Sequence, residues 1–234
     1  MGYVLILNNE QFDIQNKSER KNSKKDVLAL KNVFYKFNCS VKIVMNPTLK
    51  DIHDNLNELL IENLKQASCL VVVLMTHGLE NDHAYAKDKI YNIGDEILKS
   101  KSFQDFKDLP KILIIQACKN EDKDFKASCE HTKPKVYNTF RYNSCFEGGK
   151  SLRADGGTLF IQTLYNNLNN YGLDEDIESI AKRVNREFEN EYKDYKQNPT
   201  ILKYNGGFDK FCFGNNVKKT FCLKENVSKS FVVG

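Results

Sequence analysis

The chain has 234 residues, 41% of them hydrophobic and 28% charged, with 12 glycines and 4 prolines. That is the length of one domain with enough apolar mass for a sizeable core, and it excludes a collagen-like or disordered chain. The net charge of +4 balances 35 basic against 31 acidic residues spread along the chain, with no aromatic residues interleaved in a basic stripe, so no nucleic-acid surface is expected.

No apolar run approaches the roughly 18 residues of a membrane helix, and no membrane partner is expected. Met1–Leu7 reads as a strand rather than a signal peptide, and neither terminus carries a lipidation motif, so a cytoplasmic location is expected. Seven cysteines, an odd number without a C-x-x-C pair, read as reduced thiols. No metal site and no organic cofactor are expected.

Four short apolar runs punctuate the first half: Tyr3–Leu7, Val41–Met45, Cys69–Met75 and Lys111–Ala117. Apolar almost throughout, they predict parallel strands buried on both faces. Between them the spacing predicts helices over Lys25–Phe37, over Leu49–Gln66 with Thr48 as cap, and near Ile93–Phe106. Strand–helix alternation of this kind gives right-handed crossovers and a mainly parallel sheet. Lys119–Lys135 is polar and aperiodic, a candidate linker or loop. Beyond it the pattern predicts a fifth strand at Val136–Phe140, a glycine-bearing loop over Phe146–Gly157, a helix from Gly157 to Asn170, a second helix from Asp174, and a final strand at Phe208–Phe213. Ile177, Ile180, Ala181, Val184, Phe188 and Tyr192 mark that second helix's buried stripe. The last twenty residues are lysine-rich and weakly patterned.

Two buried strands run into reactive residues, one into Thr76-His77-Gly78 and the other into Gln116-Ala117-Cys118. Ligands bind open parallel sheets at the carboxyl ends of the strands. A thiolate and an imidazole brought together there can attack a carbonyl and pass a proton to the leaving amine. Gly78 can supply a backbone N–H for the developing oxyanion, with that of Cys118 beside it. Taken singly, a cysteine closing an apolar strand is also an ordinary buried hydrophobe, and a histidine before a glycine an ordinary turn residue. A flavodoxin-like binding domain without catalysis remains open on the strand pattern alone. His53, His83 and His131 are assigned no role.

The paired strand ends resemble the caspase family of cysteine peptidases, whose signature Q-A-C has an upstream histidine. Other segments match in order: Gly2–Phe12 with its Asn8-Asn9, Arg20 six residues before Asp26, Ser151-Leu152-Arg153 followed by Gly157–Gln162, and Gln197-Asn198-Pro199. The resemblance covers about residues 1–213. It implies a three-layer α/β fold, a mainly parallel six-stranded sheet with helices on both faces. It further implies cleavage of protein substrates after aspartate, with Cys118 as nucleophile, His77 as acid–base and Gly78 in the oxyanion hole. Arg20, Arg153 and Gln116 are the implied recognition residues for the aspartate side chain, flanked by Ser151 and Leu152. Paired guanidinium groups suit a buried carboxylate.

By the same resemblance, residues 1–118 are the large-subunit part, 119–135 an intersubunit linker, 136–213 the small-subunit part and 214–234 a C-terminal tail. Processing is expected at Asp122 or Asp124, yet Lys123 and Phe125 follow them, so a poorly processed zymogen that depends on dimerisation is expected. Pairing with itself or with another caspase is implied, along an edge strand at about Phe208–Phe213, as is a role in apoptosis or related signalling. The sequence departs from the family pattern at Lys119-Asn120 and at Leu152 and Leu159, where tryptophans are usual. A catalytically weak regulator that pairs with an active caspase is therefore the alternative expectation.

Overall fold

A computed structural model describes residues 1–61, 64–119, 135–146, 148–149, 151–154, 156–195, 197–204, 208 and 210–215, with backbone alone at 61, 65, 153, 154 and 195. In chain order the elements are β1 (Gly2–Asn8), α1 (Ser23–Lys36), β2 (Cys39–Met45), α2 (Leu49–Ile61), β3 (Leu70–Met75), β4 (His83–Tyr85) and β5 (Ile90–Asn92). A π-helical turn (Gly94–Leu98), α3 (Lys101–Gln104) and β6 (Lys111–Gln116) follow. After these come β7 (Thr139–Asn143), β8 (Arg153–Ala154), β9 (Gly157–Thr158), α4 (Leu159–Tyr171), α5 (Ile177–Asn190) and β10 (Thr200–Lys203).

The main sheet has the order β10-β7-β6-β3-β1-β2, parallel throughout except for the antiparallel pair β10–β7. Alternate strand residues feed two cores, because successive side chains point to opposite faces. On one face Val4, Ile6, Val71, Val73, Ile112 and Ile114 pack under α1, α4 and α5. On the other, Leu5, Leu7, Val72, Leu74, Leu113 and Ile115 meet α2 and the π-helical turn. The chain runs from β1 out to edge strand β2 and returns to β3 on the far side of β1, placing a topological switch between β1 and β3. The carboxyl ends of β1, β3 and β6 therefore form the crevice where such sheets take their ligands.

Local chemistry sets the element ends. The Thr48 hydroxyl accepts the Asp51 N–H at 3.1 Å, and the Asp51 carboxylate accepts the Thr48 N–H at 2.9 Å, a reciprocal cap that starts α2. Asp176 caps α5 by accepting the N–H groups of Glu178 and Ser179.

Three expectations are corrected. The helix near Ile93–Phe106 is broken into the π-helical turn and α3, with Ser100 extended between them. The fifth strand is Thr139–Asn143 rather than Val136–Phe140; Val136 is buried in the second core just before it. The final strand is Thr200–Lys203, and the described residues of Phe208–Phe213 form no strand. Their aromatic rings are plugs instead: Phe213 stacks on Phe37 at 4.8 Å, with Phe34 and Phe211 edge-on to it. The strand at that edge of the sheet is β10. Among the described residues no helix is long and apolar enough to cross a membrane.

Candidate active site

His77 and Gly78 leave β3, and Cys118 leaves the adjacent β6, so the in-register pairing of Met75 with Gln116 delivers them side by side. The approach is close enough to dictate a glycine. A Cβ at Gly78 would lie 2.3 Å from the Cys118 carbonyl oxygen and 2.9 Å from Ala117 Cβ. Gly78 is then held by a bridge to Ala84, and the chain reverses through Asn81 and Asp82, both at positive φ. Two successive left-handed residues make the tight reversal of a type I′ turn, for which Asn and Asp are among the tolerated residues.

The His77 ring lies 5.0 Å from Phe12 and edge-on to Tyr85 at 6.4 Å. Its Nε2 is 2.8 Å from the Ser18 carbonyl. A carbonyl only accepts, so Nε2 carries the proton and Nδ1 is the basic nitrogen of the neutral ring.

Cys118 is half-buried and its neighbours are pinned on both sides. Ala117 N–H donates to Ser144 Oγ at 3.2 Å, Ser144 Oγ donates back to the Ala117 carbonyl at 3.1 Å, and Lys119 N–H donates to the Gly149 carbonyl at 2.9 Å. The Cys118 sulfur accepts the Ser151 N–H at 3.3 Å and faces the Ser151 carbonyl at 3.8 Å. Among the described residues no hydrogen bond links this sulfur to the His77 ring, and the N–H groups of Gly78 and Cys118 donate to none. Beside it, Cys145 is fully buried against the Ala117 carbonyl, and burial, then the Cys118 sulfur, pushes its thiol up to about 11.

The residues expected to read an aspartate side chain divide. Arg20 is 1% exposed at the end of β1, donating to Asn8 Oδ1 at 3.2 Å and to the Asn9 carbonyl at 2.7 Å. Gln116 is 3% exposed and lies 2.6 Å from Ser151 Oγ. The Leu152 N–H donates to Gln197 Oε1 at 2.8 Å, which ties Leu152 and Ser151 to the loop before β10. Arg153 pairs through its backbone with Thr158, while its guanidinium lies outside the described residues. So do Asp122 and Asp124. Arg20 also acts electrostatically on Asp26, a wholly buried carboxylate that accepts the Thr158 N–H and hydroxyl and the Gln162 amide. Gly157, at φ +122°, is required there, since a Cβ would come within 2.4 Å of Asp26 Oδ1.

One constellation escaped the sequence reading. Asp82, in the turn beyond Gly78, receives both guanidinium nitrogens of Arg141 at 2.7 Å each and Lys119 Nζ at 3.1 Å. Arg141 is fully buried in β7 and also donates to Asn143 Oδ1 and, at 3.3 Å, to the Tyr204 hydroxyl. Burial alone would raise the Asp82 carboxyl, but the bonds and charge of Arg141, then Lys119, hold it far below its ordinary value of 3.8. The turn after His77-Gly78, the residue after Cys118 and the neighbouring strand are thus locked to one another. Lys119, a departure from the expected pattern, is one of the groups that close the lock. No local pattern marks Asp82 and Arg141 as partners across 59 residues.

A mainly parallel α/β sheet with a half-buried thiol beside the histidine-bearing strand end is the architecture of an α/β cysteine peptidase domain. The family profile described as Caspase domain matches residues 1–205, and the chain belongs to that family. It is 28% identical to human caspase-14 over 209 residues, 78% of this chain and 84% of the relative. With mouse caspase-6 it shares 25% identity over 95% of this chain and 89% of the relative. With a caspase-8 from Drosophila pseudoobscura pseudoobscura it is 28% identical over 67% of this chain, spanning only 33% of that relative's length. The structure of caspase-1 from Spodoptera frugiperda superposes with a TM-score of 0.75 at 24% identity, covering 91% of this chain and 89% of that one, which establishes the shared fold.

Proposed function

We propose that the chain is an aspartate-directed cysteine endopeptidase of the caspase type, acting on protein substrates. The observation that carries this reading is the contact of Gly78 with the Cys118 carbonyl, which sets the histidine-bearing strand end against the cysteine-bearing one. In the proposed reaction the substrate aspartate docks between Arg20 and Arg153, with Gln116 assisting. The Cys118 sulfur attacks the carbonyl carbon that follows. The N–H groups of Gly78 and Cys118, which donate to no described residue, receive the oxyanion. The His77 imidazolium, formed when the thiol is deprotonated, gives a proton to the leaving amine, and the neutral ring then takes one from the water that hydrolyses the thioester. The Ser18 carbonyl orients the ring throughout.

The sulfur's present bonds to Ser151 favour a second reading, a weak caspase-like regulator that pairs with an active caspase. Substrate displaces those bonds in the first reading; in the second they persist. In either case the division at residues 118 and 135, inefficient processing at Asp122 or Asp124, and dimerisation along β10 belong to the proposal, as does a cytoplasmic role in apoptotic or related signalling.

Turnover decides between the two. A tetrapeptide substrate ending in aspartate is expected to be cleaved, with Glu, Asn and Lys counterparts cut far more slowly and Cys118→Ala inactive. Cleavage that survives Cys118→Ala, or a preference for Lys, contradicts the first reading. Absence of turnover with stable binding to another caspase supports the second.

A further inference from the structure

The carboxamide of Gln116 carries an unmet demand at the substrate end of β6. It is 3% exposed, its Nε2 lies 2.6 Å from Ser151 Oγ, and its Oε1 has no hydrogen-bond partner among the described residues. A buried polar atom without a partner is costly, so it calls for an explanation.

The surrounding bonds fix the direction in which protons run. Gln197, itself 1% exposed, takes the Leu152 N–H on Oε1 at 2.8 Å and gives Nε2–H to the Ser144 carbonyl at 2.9 Å. The backbone N–H can only donate and the carbonyl can only accept, so the orientation of the Gln197 amide is settled. Its Nε2 also faces Ser151 Oγ at 3.2 Å and donates there. The Ser151 hydroxyl, which can accept two bonds and give one, already accepts from Gln197 and still has its own proton to place; the Gln116 amide is the other side-chain group bonded to that oxygen. The separation of 2.6 Å agrees: O–H···O bonds run from about 2.5 to 3.0 Å, whereas N–H···O bonds begin near 2.7 Å.

We propose that a relay from Gln197 through Ser151 turns the Gln116 amide over, so that Oε1 accepts from the serine and the Nε2 hydrogens take the unpartnered side. The two ends of a carboxamide have the same shape, so the same heavy-atom positions stay filled. Gln116 then presents donors alone to whatever enters, which suits a carboxylate. The opposite orientation sets an oxygen against the incoming charge. Ser151 and Gln197 are positioning residues in this account: they act on the substrate's acidic side chain through Gln116. The inference rests on the endopeptidase reading and deepens it.

The test compares peptides that differ only in Asp or Asn at the cleavage position, with wild type, Ser151→Ala and Ser151→Thr. Removing the hydroxyl releases the amide, and the Asp-over-Asn ratio of kcat/KM is expected to fall about tenfold, mainly through KM. Threonine, which keeps the hydroxyl, is expected to restore most of the ratio. Calorimetric binding of both peptides to Cys118→Ala protein, with and without Ser151→Ala, supplies the same ratio without turnover. A wild-type preference for Asp that Ser151→Ala leaves intact overturns the relay alone, as does a loss that threonine does not recover. Wild type that neither cleaves nor binds the Asp peptide in preference overturns the endopeptidase reading and the relay with it.

Discussion

Two aspartates stand behind the candidate site; burial raises both carboxyls and their partners lower both, but burial prevails at Asp26 and the partners prevail at Asp82. Asp26 is wholly buried and held by neutral donors from Thr158 and Gln162; burial pushes its carboxyl above 3.8, against those bonds and the more distant charge of Arg20. Asp82 keeps 34% of its side chain open to water yet is held far below 3.8, because Arg141 grips it with two nitrogens and Lys119 adds a second cation. The difference teaches that hydrogen bonds from neutral groups make a buried carboxylate tolerable, whereas directly bonded cations make it a fastener. Asp26 ties α1 to the β8–β9 pair, and Asp82 ties the turn that follows His77 to Lys119, the residue after Cys118, and to Arg141 of β7.

The largest effect is expected at Asp82. Asp82→Asn leaves the fully buried Arg141 guanidinium without its anion, and breaking such a pair costs roughly 3 kcal/mol. Combining it with Arg141→Met is expected to recover part of that loss in a double-mutant cycle read by urea denaturation; strict additivity contradicts the lock. Asp26→Asn is expected to cost less, about 1 kcal/mol, since the new amide keeps an acceptor for Thr158 and Gln162 can turn to meet the new N–H.

Acid titration of stability separates the two directly. The raised carboxyl of Asp26 takes its proton in the folded state before the unfolded chain does. As pH falls from neutral towards 3.8, its contribution to stability therefore rises. The depressed carboxyl of Asp82 does the reverse: below 3.8 the unfolded chain binds the proton first, and stability is lost as pH falls further. Denaturant midpoints against pH are expected to lose their upper gain in Asp26→Asn and to flatten at the acid end in Asp82→Asn. The smallest effect is expected for Lys119→Met, below about 1 kcal/mol, because Arg141 still holds Asp82. A larger loss in chemical denaturation makes Lys119 the principal clasp.

The strands that line the crevice were legible because burial on both faces writes them as unbroken apolar runs, and Met75 and Gln116 end in the residues that matter. Strand β7 was misplaced because Arg141 and Asn143 look like surface residues; they are buried only because Asp82 and Thr200 answer them. Strand β10 was missed because an edge strand with Leu202 at 44% exposure has no two-sided apolar signature, while the aromatic run after it, a better strand on paper, serves as packing. Of the proposed site, His77, Gly78, Cys118 and Gln116 stand out at strand ends, and Arg20 only through the family resemblance. The Ser18 carbonyl and the Asp82 cluster could not, since backbone atoms leave no residue signature and long-range ion pairs leave no spacing.

The most direct measurement is intact-mass and peptide mapping after exposure to a chloromethyl ketone peptide ending in aspartate. The expected result is a single adduct on Cys118, abolished by Cys118→Ala and slowed at least tenfold by His77→Ala. Labelling spread over the other cysteines, or labelling equally fast with a lysine-ending reagent, contradicts it.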